Sequence, residues 1–231
     1  EYTVRLAHEV GKPMASLQGT AYLRAPDGQI VHKNGRPANA DVVKTFGSAI
    51  PTWTGGISNT FVIRGVRISA LIDGKFGHKL ISNTNFNLWR HGLHKATLEG
   101  REQGFVVGKG VMEDPASPGK YVPNNVQVPV QTYYESVRSN NNIAEEFVYD
   151  PSFIKLRQIT VGYDFGKLLG TQQLVKGLTV SFVANNVAVL SKHTPNIDPE
   201  MVTAASDNLQ GLESGGLPMT RSMGINVHVK F

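Results

Sequence analysis

Ser222-Met223-Gly224-Ile225-Asn226-Val227-His228-Val229-Lys230-Phe231 alternates without a break. Met223, Ile225, Val227, Val229 and Phe231 are apolar, and every residue between them is polar or is glycine. A period of two places successive side chains on opposite faces of a strand, so this segment has one oily face and one wet face. Leu178, Val180, Phe182 and Ala184 alternate in the same way with Gly177, Thr179, Ser181 and Val183. Val66, Ile68, Ala70 and Ile72 alternate with Arg67, Ser69, Leu71 and Asp73, and Ile57, Phe61 and Ile63 with Ser58, Thr60 and Arg64, with Asn59 as an exception. Phe153 to Phe165 is rich in β-formers, but its phase slips near Arg157, which predicts a bulge. With Tyr2 to Leu6 as the tail of one more, about six antiparallel strands are expected.

The joins between these strands are unequal. Arg64-Gly65 reads as a tight hairpin, and Gly166 to Lys176 is short. The other joins run from Gly11 to Pro51, from His78 to Pro151 and from Ser191 to Pro218. Structureless loops of such length are uncommon in compact domains and usually carry function. In an antiparallel sheet the short joins fall at one end and the long ones at the other, which is the layout of an outer-membrane β-barrel. A soluble β-sandwich also alternates, with its apolar face turned inward, and alternation alone does not separate the two. One helix is expected, over 86–101.

Composition narrows the classes. Of 231 residues, 18% are charged, 24 are Gly and 12 are Pro, which excludes a coiled coil, a collagen-like repeat and a charged disordered tail. There is no Cys, so disulfides, thiolate-bound zinc and thiol nucleophiles are excluded. Lys and Arg number 23 against 18 Asp and Glu, scattered rather than blocked, which gives no sign of a nucleic-acid patch. No apolar run approaches the length of a membrane-spanning helix.

Catalytic and metal motifs fail in turn. His91-Gly92-Leu93-His94 has no third spaced ligand, and Gly108-Lys109-Gly110 lacks the rest of a phosphate loop. Glu145 and Glu146 are adjacent and would face opposite ways in a strand, and no serine sits in a nucleophile elbow. No enzyme, metal or cofactor is expected.

Several stretches, in order, resemble the C-terminal part of SusC/RagA-type TonB-dependent outer-membrane transporters. They are Glu9 to Met14 with Leu17-Gln18-Gly19, Gly47 to Phe61 continuing to Gly77, Asp150 to Tyr163, Asn185-Asn186 through Asn196-Ile197-Asp198-Pro199-Glu200, and Gly216 to Val227. The family's Gly-Tyr after the first stretch reads Gly19-Thr20-Ala21-Tyr22 here. The resemblance implies an all-β fragment, residues 1–231, of a 22-stranded barrel in the cell outer membrane. A plug domain would lie outside this sequence. The resemblance implies active import of a glycan or peptide, with a SusD-like surface lipoprotein as lid and TonB supplying energy through the missing part. The alternatives are a secreted carbohydrate-binding sandwich and a siderophore- or cobalamin-type receptor.

On this reading the apolar faces meet lipid, while Arg67, Asp73, Asn226 and His228 face the lumen. An open sheet in lipid would leave two edges of unpaired backbone groups, so the sequence is expected to be a piece of a longer chain. Trp89, Tyr121, Tyr133 and Tyr134 are the loop aromatics that could stack on cargo or meet the lid, or else pack the loops internally. Ser139-Asn140-Asn141-Asn142 could hydrogen-bond a glycan or form a plain turn. The resemblance also assigns Phe231 the terminal-aromatic signal read by the barrel-assembly machinery. Deleting Phe231 from the full-length protein is expected to lower its level in an outer-membrane fraction, and an unchanged immunoblot signal would count against that assignment.

Overall fold

The computed structural model describes residues 4–137, 142–168, 174–201 and 210–231. Its main elements in chain order are β1 (Arg5–Ala7), β2 (Ser16–Tyr22), β3 (Asn39–Ser48), β4 (Trp53–Ile63), β5 (Val66–Phe76), α1 (Asn83–Arg90), α2 (Val130–Glu135), β6 (Phe153–Asp164), β7 (Gly177–Lys192) and β8 (Ser222–Lys230). Five of them form one antiparallel sheet in the order β8-β7-β6-β5-β4. β4 and β5 join through Arg64 and Gly65 at φ 50° and 91°. Positive φ at both central residues is a type I′ turn, whose twist matches the strands it connects.

Register sorts the side chains cleanly. Phe61, Ile68, Val161, Phe182 and Ile225 lie side by side across all five strands, and the next row holds Ile63, Val66, Tyr163, Val180 and Val227. No Asp, Glu, Lys or Arg falls on this face. The opposite face carries Thr60, Ser69 and Thr160 in one row and Arg67, Ser181 and Asn226 in another, with Val62, Leu71, Phe153, Val183 and Val189 as apolar exceptions. The oily face is not covered: Ile57 is 74% exposed, Ile63 68%, Phe182 44% and Ile225 74%. Twelve large apolar strand residues are exposed there, and leaving them in water would cost on the order of 10 kcal/mol. A sandwich would have buried them under a second layer.

The dimensions suit a bilayer. β4 and β5 have 11 residues each, about 36 Å along the strand, and a tilt of about 45° brings the height to ~25 Å. Aromatic pairs mark both ends of this face, Trp53 with Phe76 at 5.3 Å and Tyr163 with Phe165 at 4.7 Å. Exposed Phe231 follows directly on β8 at the Tyr163 end. No helix among the described residues is long and apolar enough to cross a membrane.

The bulge falls at Arg157, where the register of β6 shifts against both neighbours between Leu156 and Gln158. Without the extra residue, everything beyond it would exchange faces. The bulge therefore keeps Ile154 and Leu156 on the same oily face as Ile159, Val161 and Tyr163.

Above the sheet the long joins fold on themselves. β1, β2 and β3 make a three-stranded sheet, and Val31–Lys33 and Arg36–Pro37 join Val111–Glu113 and Tyr121–Pro123 in a four-stranded one. Of the sixth strand expected from Tyr2 to Leu6, Tyr2 and Thr3 lie outside the described residues, and Arg5 and Leu6 fall in β1, paired with β2 in this layer rather than with the wall. The expected helix ends early: Ser82 caps α1, and Gly92 at φ 66° turns the chain out before a 3-10 turn at Lys95–Leu98. Phe86, Trp89, Val106, Tyr134, Val137, Ile143 and Phe147 form the core of this layer.

Candidate functional site

The wet face of the wall and the loop layer over its end are the two surfaces on which this fold can meet a solute. Arg67, Asp73, Asn226 and His228 all lie on the wet face. Arg67 stands beside Gly162, Asn226 beside Ser181 and His228 beside Thr179. Asp73 is not free in this setting: its Oδ1 accepts from Arg157 Nε at 2.7 Å.

That bond belongs to a wider ion network where the wall meets the loops. Lys155 on β6 is 4% exposed, and its Nζ donates to Asp198 at 2.7 Å and to Glu200 at 2.8 Å. Arg157 Nη2 donates to Glu200 at 2.6 Å, and Lys75 Nζ lies 3.6 Å from the same carboxylate. Three cations meet three carboxylates. Burial pushes Glu200 up, but the hydrogen bonds and charges of Arg157 and Lys155 outweigh it and hold the group at about 2. Asp198 is likewise lowered, burial being outweighed by Lys155 and the Glu200 backbone N–H. The network ties the loop before β8 to the wall. None of Lys155, Arg157, Asp198 and Glu200 stood among the sequence candidates, although a basic pair two apart in a strand and an acidic pair flanking a proline were the visible signal.

The loop aromatics divide. Trp89 and Tyr134 are 8% and 7% exposed, ring centroids 5.3 Å apart and nearly perpendicular, and the Trp89 indole N–H donates to the Tyr134 carbonyl at 3.1 Å. They pack the loop core rather than present open ring faces, because seven apolar side chains converge there. Tyr133 is half-buried against Tyr134 and His32, and its hydroxyl is pushed up to about 12, chiefly by burial. Tyr121 alone stands in solvent, at 37%. Ser139, Asn140 and Asn141 lie outside the described residues; the Asn142 carbonyl accepts from Thr20 Oγ1.

The rejected motifs acquire structural work. His94 Nδ1 accepts from the Ala96 N–H and so caps the 3-10 turn, and no metal-binding cluster occurs among the described residues. Glu145 takes the Tyr22 N–H at 2.9 Å and pairs with Lys44 and Arg24 at 2.7 and 3.2 Å; Glu146 accepts from the Tyr22 hydroxyl at 2.7 Å. Burial raises Glu146, whereas the partners of Glu145 hold it below its usual value against its own burial. Both carboxylates are thus committed to fastening β2 rather than to acid–base work.

Gly108 and Gly110 flank the buried ring of His32. A Cβ at Gly108 would collide with His32 Nε2 and stand 2.8 Å from the Tyr133 hydroxyl. Gly108→Ala is therefore expected to cost about 1–3 kcal/mol by overpacking, read as earlier protease cleavage within 105–135 in the folded protein.

A cleft of about 800 Å³ opens in the loop layer between the end of α1 and the start of α2, and a second opening of about 770 Å³ lies beside it along residues 98–107. Leu93, Pro129 and Val130 line the first, with Trp89 and Tyr134 in its floor and Arg90, Arg101, Gln131 and Glu135 at its polar side.

No family model matches the chain, and no curated protein does. Solved structures match in fold. A chain of the RagAB peptide importer in its "open-open" state aligns with a TM-score of 0.60 at 16% identity, covering 99% of this chain and 24% of that one. The "closed-closed" state gives 0.56 at 16% identity over 92% and 22%, and a further structure of the RagAB peptide transporter gives 0.56 at 15% over 97% and 24%. The chain spans about a quarter of the length of these solved chains. The likeness fixes the architecture as an all-β fragment of a larger β-barrel protein.

Proposed function

We propose that this chain is part of the wall and extracellular loops of an outer-membrane transporter that imports peptides. The observation that carries the reading is the exposed, charge-free apolar face backed by a polar one, in strands long enough to cross a bilayer. β4 and β8 are the edges of the sheet among the described residues, and backbone groups in lipid need partners, so further strands complete the barrel. Peptide is favoured over glycan as cargo by the fold neighbours, which are described as peptide importers. The wall performs no covalent chemistry. A plug contributed by the rest of the protein closes the lumen, a SusD-like lipoprotein covers the loops, and TonB draws the plug aside. The barrel-assembly machinery inserts the whole.

The test is uptake. Cells carrying the full-length protein with its neighbouring lipoprotein should accumulate fluorescent peptides too large for porins, and should stop doing so when TonB is deleted. Accumulation of oligosaccharides but not peptides would overturn the cargo. A full-length protein that is soluble and monodisperse without detergent would overturn the membrane reading itself.

A further inference from the structure

The cleft between α1 and α2 has an uneven charge that the loop packing does not account for. Arg101 is held rigidly at its side: Nε donates to the Thr97 carbonyl at 2.8 Å, and Nη2 donates to Thr97 Oγ1 at 2.8 Å and to the Gly92 carbonyl. All three acceptors are uncharged, and among the described residues Nη1 has no hydrogen-bond partner. Among the described residues no carboxylate forms an ion pair with Arg101 or with Arg90 on the same cleft. The carboxylate in the lining, Glu135, instead accepts from the Gln131 amide at 2.9 Å. Beside the guanidinium, next in the chain to Gly92, Leu93 is 72% exposed in the apolar part of the lining. Here a planar donor fork has been fixed in place and left without its natural acceptor.

We propose that this cleft is a subsite for an acidic peptide, in which Arg101 and Arg90 take a side-chain or terminal carboxylate and the Leu93–Val130 wall takes a neighbouring apolar side chain. The inference rests on the peptide-import reading and names the sequence preference of that import. Fixing the fork in advance lowers the ordering cost of binding, and the apolar wall lowers the local dielectric around the ion pair.

The experiment uses the full-length transporter purified in detergent and two fluorescent nonapeptides that differ only in Asp against Asn beside a Leu. The Asp peptide should bind about tenfold tighter at ~50 mM salt, and the preference should shrink as the salt approaches ~500 mM. Arg101→Gln should remove the preference for the Asp peptide over the Asn peptide. Because Arg101 also holds Thr97 and Gly92, Leu93→Glu is the second variant: it keeps those bonds, puts a carboxylate beside the guanidinium and should invert the preference. Equal affinity of the wild type for both peptides, or a preference that survives both variants, overturns the subsite and leaves peptide import standing. Failure of both peptides to bind overturns import and subsite together. Competition by a galacturonate oligosaccharide as strong as that by the Asp peptide also overturns the proposal, since the carboxylate recognised would then belong to a sugar.

Discussion

Lys155→Met is expected to cost the folded protein about 3–5 kcal/mol and to free the loop that precedes β8. The ammonium is buried and bonded to two carboxylates, Asp198 at 2.7 Å and Glu200 at 2.8 Å. Without it Asp198 loses its cation, and Glu200 keeps only Arg157 and the more distant Lys75. An uncompensated buried carboxylate is the costly product, not the loss of the pair as such. Combining Lys155→Met with Asp198→Asn should therefore recover a good part of the loss. The measurement is the temperature at which the full-length protein loses its compact, unheated migration in detergent gels. pH gives the sign. Glu200 titrates at about 2 in the fold against its usual 4.5, so the stability it supplies is present above about pH 4.5 and fades as the pH falls toward 2. The gap between wild type and Lys155→Met should be flat from neutral pH down to about 5 and close below it. A gap unchanged at the acid end would mean that Lys155 acts through packing alone.

This network shows where sequence reading stopped. The wall was legible because one rule, apolar every second residue, governs each strand independently of its neighbours, and even the slip at Arg157 registered as a local break of phase. The hairpin was legible because Arg64-Gly65 is too short to be anything else. The loops obey no such rule. Glu145 reaches β2 more than 120 residues away, and Glu213 in the last loop is buried under α1, where it takes the hydroxyls of Ser82 and Thr84. Contacts at such separation leave no periodic trace. That is why the sequence left Trp89 and Tyr134 between stacking on cargo and packing the loops, whereas five other buried side chains cluster with them in the structure. It is also why Arg101 drew no notice: its value lies in three acceptors that hold it still, and none of them marks the sequence as unusual.

Val161→Arg is expected to remove about 2–4 kcal/mol from the folded protein in a bilayer, whereas Thr160→Arg, one residue earlier on the same strand, should be nearly silent. Val161 stands between Ile68 and Phe182 on the face free of charge, and Thr160 between Ser69 and Val183 on the other. The two positions share strand, depth and hydrogen-bonding neighbours, so propensity and register cancel between them. What differs is the medium on each side: acyl chains offer a guanidinium no partner, while a wet lumen does. The folded fraction of each full-length variant in lipid vesicles, titrated with urea, gives the comparison directly. Because the described wall contains no Cys, single cysteines at the same two positions add an independent reading. Val161→Cys should resist a membrane-impermeant maleimide and carry a probe that nitroxide lipids quench; Thr160→Cys should show neither property. Similar losses for both arginines, or equal labelling of both cysteines, would mean that the oily face meets protein rather than lipid. The transporter reading would then lose the observation it stands on.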